Sequence, residues 1–206
     1  MRFFNRQKTE IIELNTERLL LRQWSNEDLE DMARINADPE VMKYYPKLLS
    51  RQESNAAVEK FKSLISKNGW GFWAVESTRD RSFIGLVGLH KPTYKLPFGP
   101  CVEIGWRLAR SSWGQGYATE AGRECLSFAF VQLELSEVFA FTSVANMKSR
   151  AVMERLDMEN IQANFDHPTV PHNSPLREHV VYKIDSHNWR SNRVLVTDQA
   201  ESGEYR

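Results

Sequence analysis

The chain is most informative at first for what it does not have. It carries only two cysteines, Cys101 and Cys125, in 206 residues. So few cannot staple a small secreted scaffold, and both are expected as buried, reduced thiols inside regular structure. It has no net charge, with 27 Lys and Arg against 27 Asp and Glu. That balance gives no general attraction to nucleic acid. It has no long apolar run: the stretch Phe83 to Leu89 is far short of the roughly 20 residues needed to cross a bilayer. The opening MRFFNRQKTE has no apolar core, so no signal peptide is expected. No repeat and no low-complexity segment interrupts the chain. No Gly-x-Ser-x-Gly elbow or His-Glu-x-x-His pair is present, and His167 and His172 flank prolines without a third ligand nearby. These absences predict a soluble cytoplasmic protein, monomer or homodimer, with no metal, no nucleic-acid partner and no membrane.

What is present is ordinary globular usage, 41% apolar and 26% charged, enough for one domain with a sizeable core. The patterning predicts an N-terminal extension over 1–15, a domain over 16–189 and a polar tail over 190–206. Within the domain, strands are expected at Glu17–Trp24, Trp70–Glu76, Phe83–His90, Val102–Leu108, Glu137–Ser143, Met158–Ala163 and Glu178–Ile184. Helices are expected after a cap at Ser25 or Asn26, briefly after Asp38-Pro39, and over Arg51–Lys67, Tyr117–Gln132 and Asn146–Leu156. Two proline-rich segments, Lys91–Pro100 and Asp166–Pro175, read as loops. Hairpins in the first half argue for antiparallel pairing. The strand–helix–strand unit further on argues for one parallel pair by a right-handed crossover. The fold class expected is α+β: a mixed, mostly antiparallel central sheet splayed at one parallel pair, with helices on both faces.

The chain is organised around Ser112-Trp113-Gly114-Gln115-Gly116-Tyr117-Ala118-Thr119-Glu120. A strand, a two-glycine turn and a helix follow in that order. Glycine lets backbone N–H groups approach an anion, and the first helical turn adds its unpaired donors and the positive end of its dipole. The spacing fits a phosphate cradle; it also fits a plain strand-to-helix turn. It is not a Walker loop, since no Lys-Ser/Thr follows Gly116, and it lacks the third glycine of a dinucleotide fingerprint. Gly105, inside the preceding strand, predicts a bulge or a close approach by another group.

Several segments taken together resemble the GNAT acetyltransferase superfamily, in its branch of ribosomal-protein N-terminal acetylases. They are TERLLLRQW, DPEVMKYYP, GFWAVE, FIGLVGL, VEIGWRL, WGQGYATEA, the Asn146–Ala151 segment and a closing HVVYKI, in consistent order from Thr16 to Trp189. The resemblance implies acetyl-CoA as donor and a primary amine as acceptor, on a protein N-terminus or a small molecule. It implies that the backbone of Gly114, Gln115, Gly116, Tyr117 and Ala118, with Trp113 beside them, holds the cofactor's pyrophosphate. It also implies that main-chain groups around Arg107 and Leu108 hold its pantetheine arm and thioester oxygen, and that Asn146 supports that arm. The chain departs from the branch at Asp157-Met158, where Gly-Phe is usual.

Amine acetylation needs a neutral amine, a thioester held beside it, donors for the oxyanion and a proton for the departing thiolate. Glu103 is the expected general base: the resemblance implies this role, which the matching position serves in some members of the family, and apolar neighbours would raise its pKa. A solvated carboxylate on a strand's polar face is the plainer alternative. Ser149 is the expected proton donor to the thiolate. Asn146 and Ser149 share a helix face, and helix capping would equally account for both. Tyr44, Tyr45, Tyr94 and Phe98 are expected to wall the acceptor pocket. A non-catalytic acyl-CoA-binding or sensing module on the same fold is the alternative function, and a nucleotide binder unrelated to CoA is a third.

Overall fold

The computed structural model describes residues 9–191. Its strands are β1 (Leu14–Asn15), β2 (Leu19–Arg22), β3 (Phe72–Ser77), β4 (Phe83–His90), β5 (Glu103–Leu108), β6 (Glu137–Ser143), β7 (Glu159–Asn160), β8 (Phe165–Asp166) and β9 (Glu178–Asp185). Its helices are α1 (Asp28–Ala37), α2 (Arg51–Asn68), α3 (Tyr117–Val131) and α4 (Met147–Arg155). The strands form one sheet in the order β1-β2-β3-β4-β5-β6-β9-β7, with β8 also on β9. Only β5 and β6 pair in parallel. Adjacent residues of β3 show where the helices lie. Trp73 packs edge-on against Phe128 of α3 and Phe72 against Phe61 of α2. Successive strand side chains point to opposite faces, so α2 and α3 cover opposite faces. This is the α+β architecture expected.

Several boundaries differ from expectation. Residues 9–15 belong to the domain: Leu14 pairs with Leu21 and is buried, and the Trp73 indole donates to the Ile12 carbonyl. Of the tail expected from residue 190, only 190 and 191 are described; they continue a helical turn begun at 186, and the rest lies outside the described residues. No side chain caps α1. Asp28, at its start, instead takes two bonds from Arg22, which also binds Glu76, so this buried ion cluster ties β2, α1 and β3 together. The segment after Asp38-Pro39 forms turns rather than a helix. Cys101 lies in the loop before β5, half-buried, while Cys125 is buried in α3 as expected. α2 begins with a reciprocal Ser50–Glu53 capping box and ends at Gly69.

The C-terminus of α4 explains the Asp157-Met158 departure. Met158 N–H reaches the Met153 carbonyl and Asp157 N–H the Glu154 carbonyl, a Schellman closure with both methionines buried. Asp157 carries it at φ 60°, a region that disfavours a side chain. Asp157→Gly is therefore expected to raise unfolding free energy by about 1 kcal/mol, measured by urea denaturation. An unchanged or lowered midpoint would show that aspartate is not strained there.

The parallel pair is the feature that positions the site. Six residue pairs join β4 to β5 and seven join β6 to β9, but β5 and β6 share one, Glu103 with Phe139. Each strand follows its long antiparallel partner, so the two part beyond Glu103. The bulge expected at Gly105 is not there: the β4–β5 register runs unbroken. Gly105 instead admits the Phe72 ring, which would lie 3.2 Å from a β-carbon. The phase of this ladder is set by Ala109 N–H, which donates to the Ile84 carbonyl at 2.9 Å. Antiparallel ladders alternate, so the main-chain groups of Arg107 face β4, while those of Trp106 and Leu108 face the gap.

Candidate active site

Two cavities open along that gap. The larger, about 920 Å³, runs from Leu108 past Trp113, Gly114 and Gly116 to Lys148. The smaller, about 320 Å³, lies over Glu103 and Gly105. They share Tyr44, Tyr45, Trp106, Arg107, Asn146 and Ser149 as lining residues, so these six stand where the cavities meet.

The glycine stretch begins the larger cavity. Gly114 and Gly116 both take positive φ, 75° and 81°, which glycine adopts without a Cβ penalty. Gly116 precedes α3 without any side-chain cap. Among the described residues, no protein acceptor faces the backbone N–H groups of Gly114, Gln115, Gly116, Tyr117 or Ala118. Five donors left open at a helix N-terminus suit a diphosphate. Arg18, just before β2, braces the turn: it binds the Gln115 carbonyl and Glu120 and lies 4.7 Å over the Tyr117 ring. Trp113 folds back so that its indole donates to the Leu108 carbonyl at 3.0 Å, and Lys148 stands over its ring. Leu108 thus keeps its N–H for the gap. Arg107 contributes there through its side chain, since its main chain faces β4.

Asn146 both caps α4 and organises Ser149. Its Oδ1 accepts from Ser149 N–H, which leaves Nδ2 to donate to Ser149 Oγ at 3.0 Å and Thr142 Oγ1 at 2.9 Å. An amide nitrogen can only donate, so the Ser149 oxygen accepts and its proton is free to point into the junction.

Glu103 is half-buried, with no cation paired to it among the described residues. Burial without a compensating charge pushes its carboxyl up to about 8. Tyr44, Tyr45 and Tyr94 line the smaller cavity. Phe98 does not: it stacks on Phe139 at 5.1 Å and packs with Phe165 in a separate core cluster behind the wall.

Sequence reasoning missed part of the wall. Phe61, Phe72 and Phe141 line it, as do His167 and His179. Arg107 binds Asn36 Oδ1 at 2.6 Å and lies 4.1 Å over the Tyr45 ring, fastening α1 and the 38–46 turns to β5. His167 drew notice only as a failed metal ligand. The local pattern of β9, reading EHVVYKI, contained no sign that His179 would meet it across the sheet edge.

The sequence and the fold have counterparts among known proteins. Residues 18–159 match the acetyltransferase (GNAT) domain family. The chain is 31% identical over 183 residues to the FsC-acetyl coenzyme A-N(2)-transacetylase of Aspergillus fumigatus, covering 85% of this chain and 77% of that protein. The crystal structure of a GNAT-family acetyltransferase from Bacillus anthracis superposes with a TM-score of 0.71 at 25% identity, over 85% of this chain and 99% of that one. The ribosomal-protein-S5-alanine acetyltransferase of Vibrio fischeri shares the fold with a TM-score of 0.66 at 17% identity, over 86% and 98% of the two chains. With a family match over most of its length and the splayed parallel pair that carries its cavities, the chain belongs to the GNAT family of acetyltransferases.

Proposed function

We propose that the protein transfers the acetyl group of acetyl-CoA to a single primary amine on a compact, largely apolar molecule or chain end. The observation that carries this reading is the junction of the two cavities. A cradle of open backbone donors lies along one, an unpaired carboxyl lies in the other, and Ser149 stands between them. The Aspergillus relative, an acetyl coenzyme A transacetylase by name, supports the donor. The Gly114–Ala118 donors would hold its diphosphate, and the N–H groups of Trp106 and Leu108 would bind its arm and the thioester oxygen. Acetyl-CoA supplies the activated acetyl group. Glu103 takes a proton from the attacking amine as the C–N bond forms; Ser149 gives one to the sulfur as the C–S bond breaks, and solvent then takes the proton from Glu103 and returns one to Ser149.

The smaller cavity also speaks to the acceptor. Glu103 is the only carboxylate among the described residues that line it, and the rings of Tyr44, Tyr45, Phe61, Phe72, Tyr94, Trp106 and Phe141 stand among the rest. A polyamine would ask for several acids to offset its charges, so a single amine fits better.

The test is a thermal-shift comparison followed by an acceptor screen. At acetyl-CoA one hundred times its Kd, stabilisation of about 2.7 kcal/mol is expected, with none from NAD or ATP. Primary amines should then release free CoA thiol. Stabilisation by ATP or NAD alone would remove the donor assignment. Binding of acetyl-CoA without thiol release across the amine panel would mark a binding module instead.

A further inference from the structure

Two histidines that the acetyl-transfer chemistry does not use form one wall of the acceptor cavity, and their hydrogen bonds fix their protons. His167 and His179 are both buried, with ring centroids 4.7 Å apart. His167 Nδ1 accepts from the backbone N–H of Thr169 at 3.3 Å. A neutral imidazole that accepts at Nδ1 carries its proton on Nε2. That nitrogen lies 3.1 Å from the Tyr94 hydroxyl and therefore donates to it. Tyr94, already accepting, has its own O–H proton free for the cavity. His179 is set the opposite way. Its Nδ1 lies 3.0 Å from the Arg177 carbonyl, which can only accept, so Nδ1 carries the proton. Nε2 is then a bare lone pair, and no protein donor faces it among the described residues. Burial holds both rings neutral: His167 is pushed down to about 4 and His179 is lowered too.

The wall thus offers one hydrogen-bond donor, Tyr94 O–H, and one acceptor, His179 Nε2, in the cavity that contains Glu103. The geometry points to Tyr94 and His179 as specificity-determining residues that read the C=O and N–H of an amide on the acceptor, with His167 a positioning residue that sets the direction of the Tyr94 hydroxyl. This rests on the proposed acetyl transfer. An acceptor with an amide beside its amine pairs both wall groups, whereas a plain alkylamine leaves them unpaired in a partly dry cavity, which is the costly case.

The test compares phenylalaninamide with phenethylamine, which share the ring and the primary amine but differ in the carboxamide. Initial rates of CoA thiol release are measured for the parent protein, Tyr94→Phe and His179→Phe. Taking the variant-to-parent ratio of kcat/KM for each substrate cancels their differing basicity. Each variant is expected to lose about tenfold more with the amide than with the alkylamine, the worth of one hydrogen bond in a water-poor site. His167→Leu should reproduce the Tyr94→Phe pattern, while His167→Gln, which retains an N–H donor, should restore most of the amide preference. Turnover with equal losses for both substrates overturns the amide reading and leaves acetyl transfer standing. No turnover of either amine by the parent protein, with acetyl-CoA bound, overturns both.

Discussion

Glu103→Gln is expected to lower kcat by roughly 10²- to 10³-fold, the usual range for removing a positioned general base, with little change in acetyl-CoA affinity. The same substitution is expected to make the protein more stable at alkaline pH. Both effects have one cause. The carboxyl has no charge partner, and its partial burial raises it to about 8 from an ordinary carboxylate value. Near neutrality it is therefore poised to exchange a proton with an amine. An ammonium arriving beside it favours its ionised form, so acceptor binding itself brings the two proton affinities together.

The sign on stability follows from proton counting. Between the ordinary carboxylate range and about 8, the folded protein holds a proton that the unfolded chain has released. Stability then falls as pH rises through that window and levels off above it. Glutamine has no proton to lose. Glu103→Gln should match the parent near pH 4 and exceed its melting temperature at pH 9 by on the order of a few degrees. For activity the sign is reversed: kcat/KM of the parent should climb with pH through about 8 as the base ionises, on top of the acceptor amine's own titration. In the variant only the amine's limb should remain. A variant with undiminished kcat, or one that melts no higher than the parent at pH 9, would remove Glu103 as the base.

The central strands and the long helices were legible because each carries its own local signal. β4 and β6 match their expected limits residue for residue, and α2 announces itself by Ser50, Glu53 and the closing Gly69. What was not legible depends on contacts between distant segments. β1 exists only because Leu14 finds Leu21 and the Trp73 indole reaches Ile12. The splay between β5 and β6 has no local signature. It arises from two strands each bound to a different neighbour, and the glycine is accounted for by the Phe72 ring. The site divides in the same way. The glycine cradle, Glu103 and the Asn146–Ser149 pair lie in short contiguous motifs. The His167, His179 and Tyr94 wall joins two loops and a strand that are far apart in the chain, His167 and Tyr94 alone being separated by 73 positions. Phe98 looked like a fourth wall aromatic because it shares a loop with Tyr94; its side chain turns into the cluster around Phe139.

Gly116→Val is expected to weaken acetyl-CoA binding by at least about tenfold while leaving kcat at saturation within a few-fold of the parent, the reverse of the Glu103→Gln pattern. Gly116 sits at φ 81°, where an L-residue costs about 1–2 kcal/mol and a β-branched one more. Relief of that strain would rotate the peptide planes on either side, and those planes carry the open N–H groups of Gly116 and Tyr117. A side chain there would also meet Arg18, whose Nη2 lies 3.5 Å from the place of a β-carbon. Arg18 holds the Gln115 carbonyl and is itself held by Glu120 in the first turn of α3, so displacing it loosens the turn a second time. Burial alone would raise the Glu120 carboxyl, but its bonds from Thr16 and Arg18 outweigh that and hold it below the usual range. The brace is therefore present above the ordinary carboxylate range and is lost as pH falls through the lowered value. Glu120→Gln should move affinity in the same direction as Gly116→Val, by less, because Thr16 and Arg18 keep an oxygen to bind. Isothermal titration with acetyl-CoA separates the two from the base variant. A Gly116→Val protein that binds acetyl-CoA as tightly as the parent would mean that the turn is only a connection between β5 and α3, and that the diphosphate is held elsewhere.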